Sequence, residues 1–258
     1  MVGLTYNIGV KSATAEKLIA LNHQFYQTLA LQFSATRMRL QPGVRRILET
    51  LPSQVNILDL GCGNGELARE LAKRDHQGFY MGLDFSSEML AEAQRSRLET
   101  LKAFFIQVDL SSPDWFTTIQ RLQPGILEHP LDDILAFAVL HHLPGDDLRK
   151  LVLRDVRKNL APHGLFIHSE WQFLNSPRLR QRIQPWESIG LNESDIDEGD
   201  YLLDWRSGGY GLRYVHHFTE QELMQLASET GFTVQQTFYS DGESGKLGLY
   251  QIWQPDLI

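Results

Sequence analysis

The spacing of apolar positions changes several times along the chain, and each change predicts an element. Leu18, Leu21, Phe25, Leu29 and Phe33 recur at three- and four-residue spacing, which predicts an amphipathic helix over residues 12 to 40. Pro42 suits the first turn of a second helix through Val44, Ile47, Leu48 and Leu51, which Pro52 ends. Short continuous runs of β-formers follow at residues 56 to 60, 78 to 84, 103 to 109, 131 to 137 and 165 to 168. Helical stretches separate them, the alternation expected of a parallel sheet covered on both faces. Residues 115 to 130 read as a helix and then a loop broken at Pro124-Gly125. Near the end, Thr219 is placed to cap a helix, and residues 232 to 239 and 247 to 253 predict an antiparallel hairpin. The expected architecture is therefore α/β and Rossmann-like, a seven-stranded mostly parallel sheet with an antiparallel last strand. Residues 1 to 52 form an N-terminal helical extension that can fold over the sheet edge as a lid. Residues 53 to 258 form the main domain, with an insertion at 171 to 215 after the fifth strand.

The first strand carries the chemistry. Asn56-Ile57-Leu58-Asp59-Leu60 runs into Gly61-Cys62-Gly63-Asn64-Gly65 and resumes as a helix with Leu67, Leu71 and Ala72 on one face. Glycine tolerates positive φ and lacks a Cβ, so a ligand can lie against bare backbone at the carboxyl end of this strand. A dinucleotide fingerprint would need a third glycine where Glu66 stands, and a carboxylate in the first helical turn repels a diphosphate. Asp59 instead offers a strand-end carboxylate to an ammonium group. With these residues the stretch resembles motif I of the class I S-adenosylmethionine-dependent methyltransferases, whose cofactor has an amino acid, a sulfonium and an adenosine but no phosphate.

Other strand ends agree. Asp84 follows the glycine turn by about twenty residues, the separation at which an acid reaches ribose hydroxyls. Phe85 is placed to lie against adenine, and Ser86 or Ser87 to cap the helix carrying Met89, Leu90 and Ala93. The resemblance implies that Asp109 and Leu110 receive the adenine amino group, and that Phe137 and Ala138 are among the residues that bind S-adenosyl-L-methionine. Leu140-His141-His142 looks like the fourth motif of that class. His141 shapes the pocket or acts as a base, and two adjacent histidines without further ligands do not make a metal site.

Composition narrows the setting. The net charge of −8 over 258 residues opposes indiscriminate attraction to polyanions, although a local basic surface can still bind RNA. The single cysteine, Cys62, rules out an intramolecular disulfide and reads as a small packing residue. No signal-like or membrane-length apolar run is present, so a cytoplasmic protein without a membrane partner is expected.

In the insertion, Arg178, Arg180 and Arg182 precede a stretch without Lys or Arg that contains Glu187, Glu193, Asp195, Asp197, Glu198, Asp200 and Asp204. Arg206, Arg213, Tyr214, His216 and His217 follow, either to recognise a carboxylate through an arginine fork or to neutralise the acids. Residues 21 to 26, Phe33-Ser34-Ala35-Thr36-Arg37, Pro42-Gly43-Val44, Gln184-Pro185-Trp186 and Arg213-Tyr214-Val215-His216 resemble the methyltransferases that esterify carboxymethyluridine at the tRNA wobble position. The chain departs from that pattern at Val215 and Gln41. The resemblance implies Tyr26 and Arg37 near the cofactor, Arg213, Tyr214 and His216 around the acceptor with His141 in the pocket wall, tRNA as a partner, and a small activator subunit. Three readings follow: a wobble-uridine methyltransferase, a methyltransferase for small carboxylates or hydroxyls, and a non-catalytic cofactor-binding subunit.

Overall fold

The computed structural model describes residues 10, 12–35, 39–96, 98–125 and 131–256, without the side chains of 30–35. Arg37 therefore lies outside the described residues. Helices α1 (Ser12–Ala35) and α2 (Pro42–Leu48) precede an alternating run: β1 (Ile57–Leu60), α3 (Glu66–Lys73), β2 (Tyr80–Asp84), α4 (Ser87–Gln94), β3 (Ala103–Gln107), α5 (Trp115–Leu122), β4 (Leu131–Phe137), α6 (Asp146–Asn159) and β5 (Leu160–Trp171). After it come α7 (Pro177–Arg180), β6 (Ile183–Gln184), β7 (Asp200–Trp205), β8 (Gly211–His216), α8 (Glu220–Glu229), β9 (Phe232–Ser240) and β10 (Gly248–Pro255).

Seven strands form one sheet in the order β3-β2-β1-β4-β5-β10-β9, and β10 runs antiparallel to both neighbours. The chain reverses direction across the sheet at β1, between β2 and β4, which opens a crevice at the carboxyl ends of these strands. The short apolar runs are explained by burial on two sides. Leu58 and Leu60 pack with Met81, Leu83, Ile134 and Phe166 on one face, while Ile57 packs with Tyr80, Leu135 and Ile167 on the other. Local signals set the helix starts. Pro42 occupies the first turn of α2, Ser86 accepts the Met89 N–H, and Thr219 accepts the Glu222 N–H.

Two features differ from the sequence reading. β5 begins at Leu160 and reaches Trp171, much longer than the expected run at 165 to 168, because β4 pairs with it at Leu160 and β10 pairs with it from Phe166 to Trp171. The insertion also has a sheet of its own, β6-β7-β8, whose strands are antiparallel. α1 lies across this small sheet. Leu18 packs with Trp186, Leu191, Leu202 and Tyr214, while Phe25 and Leu29 pack with Met89 of α4. Asn22 clamps the arrangement by accepting the Tyr214 N–H at 2.8 Å and donating to the Tyr214 and His142 carbonyls at 3.2 and 3.3 Å. The N-terminal helix thus roofs the crevice and ties it to the insertion.

Candidate active site

A cavity of about 350 Å³ opens at the carboxyl ends of β1, β2 and β4. Its floor is the glycine turn. Gly61, Gly63 and Gly65 all have positive φ, at 72°, 55° and 77°. A Cβ on Gly61 would meet Val139 at 2.7 Å and one on Gly65 would meet Ala93 at 2.8 Å, whereas a Cβ on Gly63 would meet nothing within 4 Å. Two glycines therefore seat the turn against its neighbours. Gly63 leaves bare backbone facing open space.

Acids surround this floor. Asp59 is buried, takes a 2.5 Å hydrogen bond from the Tyr80 hydroxyl, and is pushed up to about 7 by burial, with Asp84 adding to the rise. A carboxylate in that position favours a cation beside it, because an ionised group out of water needs an opposite charge. Asp84 accepts the Gly63 and Ser86 N–H groups, each at 2.9 Å, so it fixes the glycine turn as well as facing the cavity. Burial raises its carboxyl despite these bonds. Asp109 is half-buried. Burial pushes it up, but His23 and Ser111 outweigh that and hold it below the ordinary range.

Of the residues expected near the cofactor, Tyr26, Asp59, Gly61, Cys62, Gly63, Asn64, Asp84, Phe85, Met89, Asp109, Leu110, Phe137 and Ala138 line the cavity. Gly65 packs beneath the turn, against Ala93 and Phe105. His141 and Arg213 line the same space, with Trp171. The Arg213 guanidinium sits over three rings, at 4.7 Å from the centroid of Trp171, 5.4 Å from Phe25 and 5.8 Å from Trp205. Cation–π attraction from rings set at differing angles confines the guanidinium to this place.

Tyr214 and His216 are corrections. Alternate residues of a strand point to opposite faces, so Arg213 and Val215 share one side of β8 while Tyr214 and His216 share the other. The Tyr214 hydroxyl accepts from Arg149 at 2.9 Å and donates to Asp200 at 2.7 Å. The two ring nitrogens of His216 lie 2.7 Å from Asp200 and 2.7 Å from Glu222. These side chains join the insertion to α6 and α8 in a buried polar network, and neither lines the cavity. The arginines after the acids also divide in role, for Arg206 pairs with Asp204 instead of facing the cavity.

Sequence reasoning missed three cavity residues. His23 reaches both Phe85 and Asp109 from α1. His142 meets the Tyr26 hydroxyl at 2.7 Å. Glu170 is buried between His141 and His168 on β5. A carboxylate just beyond the apolar run of the fifth strand was the available signal for Glu170.

The sheet order with its antiparallel β10, together with an acid-rimmed glycine crevice that suits a cation and offers no diphosphate seat, defines an S-adenosylmethionine-dependent methyltransferase. The chain belongs to the methyltransferase domain family, whose model matches residues 33–237. It is 25% identical to an Encephalitozoon cuniculi protein designated a methyltransferase, over 82% of this chain and 87% of that protein. It is 29% identical to an Arabidopsis thaliana tRNA (carboxymethyluridine(34)-5-O)-methyltransferase over 58% of this chain, and the match spans 32% of that relative's length. A trans-aconitate 2-methyltransferase from Acidovorax ebreus is 37% identical over 38% of this chain and 35% of its own length. Among solved structures, a SAM-dependent methyltransferase from Methanosarcina mazei superposes with a TM-score of 0.62 at 24% identity, covering 85% of this chain and 99% of the other. A Haloferax volcanii methyltransferase solved with the Trm112 methyltransferase activator gives a TM-score of 0.61 at 14% identity, over 92% and 98% of the two chains. These structural likenesses show the fold. No helix among the described residues is long and apolar enough to cross a membrane.

Proposed function

We propose that this methyltransferase esterifies a carboxylate, with the carboxymethyl group of a tRNA wobble uridine as its acceptor. The observation that carries the reading is Arg213, whose guanidinium is confined among the rings of Trp171, Phe25 and Trp205 in the wall of the cofactor cavity. A guanidinium so fixed presents paired N–H donors in the geometry that a carboxylate accepts. Two relatives of differing length carry names that specify carboxylate-bearing acceptors, carboxymethyluridine and trans-aconitate.

In this reading Asp59 holds the ammonium of the cofactor, Asp84 its ribose, and Phe85, Asp109 and Leu110 its adenine, while Gly63 gives it backbone to lie on. Bound S-adenosylmethionine supplies an electrophilic methyl group. The protein's part is alignment. An acceptor carboxylate is ionised above about pH 4, so no base has to remove a proton. Arg213 turns one carboxylate oxygen toward the methyl donor, and Trp171, His141 and the α1 roof exclude water from the path.

A small carboxylic acid is the second reading, favoured by the net charge of −8 and the acid-rich insertion. The likeness to a protein solved with its activator supports a small activator subunit as a partner. Incubation with labelled methyl donor, with and without such a subunit, against tRNA carrying carboxymethyluridine and against small acids tests both. Label that enters tRNA and is released by mild alkali supports the first reading. Alkali-labile label confined to small acids supports the second, and label that resists alkali excludes both.

A further inference from the structure

A cavity meant for an anionic acceptor should not carry a spare negative charge, yet Glu170 lines it. This side chain is 1% exposed. Its Oε2 accepts the His141 main-chain N–H at 3.1 Å and lies 2.8 Å from His141 Nδ1. Its Oε1 lies 2.9 Å from Nδ1 of His168, which is fully buried. Burial alone lowers His168 to about 3, so this ring is neutral at any ordinary pH. No hydrogen-bond partner reaches its Nε2 among the described residues. A bare lone pair there costs less than a stranded N–H, so the hydrogen sits on Nδ1 and points to Oε1.

The other end of Glu170 is settled by a third group. The main-chain N–H of Trp171 is directed at the same His141 Nδ1, at 3.3 Å. A nitrogen that receives an N–H donor is an acceptor, so Nδ1 carries no hydrogen and the proton between it and Oε2 belongs to the carboxyl group. We propose that Glu170 is a neutral carboxylic acid and a positioning residue, which locks His141 in the Nε2–H tautomer so that histidine and Arg213 both donate to the acceptor carboxylate. The surroundings favour this state. Burial pushes Glu170 well above the ordinary carboxyl range, opposed by the His141 N–H and the charge of Arg149, and assisted by Glu222.

The consequence is specificity. With Glu170 neutral, the guanidinium of Arg213 and the imidazole of His141 meet the acceptor without a charged carboxyl behind the histidine, which suits a carboxylate and disfavours a cationic amine. The inference rests on the carboxylate reading for its purpose but not for its test, because the protonation state can be read without any acceptor.

Infrared difference spectra of the whole protein against Glu170→Gln, near neutral pH, would show the C=O stretch of a protonated carboxyl group lost in the variant. Nitrogen-15 spectra of the wild-type protein, with His141 assigned through its backbone, would show a protonated Nε2 and a bare Nδ1. Glu170→Gln, whose amide can donate to Nδ1, keeps that tautomer and the ring's position, while Glu170→Ala leaves only the longer Trp171 N–H contact on Nδ1, loosens the ring and raises the KM for trans-aconitate or modified tRNA more than it lowers kcat. An ionised Glu170 with Nδ1–H on His141 overturns the proposal even if Glu170→Ala fails to fold. A protonated Glu170 in a protein that methylates no carboxylate leaves the proton assignment standing and rejects the acceptor reading.

Discussion

The ring of His23 stacks on that of Phe85, with centroids 4.6 Å apart and 26° between planes. Its Nε2 also lies 3.3 Å from Asp109. Stacking on Phe85 and donation to Asp109 are the contacts proposed above for the cofactor's adenine, so in that reading α1 places a side chain of the protein in the nucleoside's slot. Removing it frees that slot. Because a stacked pair and a partly exposed ion pair are each worth about 1 kcal/mol or less, His23→Ala should bind S-adenosylmethionine roughly fivefold tighter by calorimetry. Weaker binding would mean that His23 supports the adenine instead of displacing it.

Asp59, in its proposed place beside the cofactor's ammonium, should make cofactor uptake depend on pH. Its carboxyl stands at about 7 in the folded chain against an ordinary 3.8. Between those values the folded state holds a proton that the unfolded chain has lost, so the buried carboxyl withdraws stability as pH rises through this window. A cation beside it reverses the balance by favouring the ionised form. Below pH 7 the ligand must first expel the proton, so affinity for S-adenosylmethionine should fall by up to about tenfold per pH unit, with proton release on binding. Calorimetry in two buffers of different ionisation heat reads both, and Asp59→Asn should flatten the dependence and weaken binding at pH 8.

Gly63 and Gly65 should respond differently to alanine. Both have positive φ, which costs an L-residue about 1 kcal/mol. At Gly63 the added methyl enters the open cavity, so cofactor affinity should fall with only a small loss of stability. At Gly65 it collides with Ala93, at 2.8 Å from Cβ and 3.1 Å from Cα, so the melting temperature should drop as well. Paired thermal melts and cofactor titrations separate the two.

Tyr214→Phe tests the buried network. It removes a hydroxyl bonded to both Arg149 and Asp200, leaving charged groups short of a partner, at a cost of about 1 to 3 kcal/mol. Thermal denaturation should show a clear destabilisation, while calorimetry finds cofactor affinity unchanged. A variant as stable as the parent but unable to turn over would return Tyr214 to the acceptor site.

Much of the cofactor side was legible because local rules decide it. β1 is a short apolar run that carries Asp59, the glycines after it need no distant partner to be read, and Asp84 is located by the length of one β-α-β unit. The acceptor side depends on pairing that the sequence does not display. Arg213, Tyr214 and His216 look like one cluster until β8 is seen paired with β7, when strand alternation sends Arg213 to the cavity and the other two away from it. Asp200 and Asp204 read as part of an acidic stretch without Lys or Arg, yet they are buried ends of ion pairs, since β7 turns them inward. Glu170 was hidden for a related reason. Its meaning comes from His141, which is 29 residues away and meets it only where β5 ends beside the turn after β4.

Arg213→Ala tests the central claim most directly, with cofactor affinity from calorimetry and alkali-labile methyl transfer measured on the same preparation. The account predicts an unchanged dissociation constant for S-adenosylmethionine and a loss of transfer to a carboxylate of about a hundredfold, the scale of a charge-assisted hydrogen bond to a bound acceptor. Transfer at the parental rate, or loss of cofactor binding together with transfer, would contradict it.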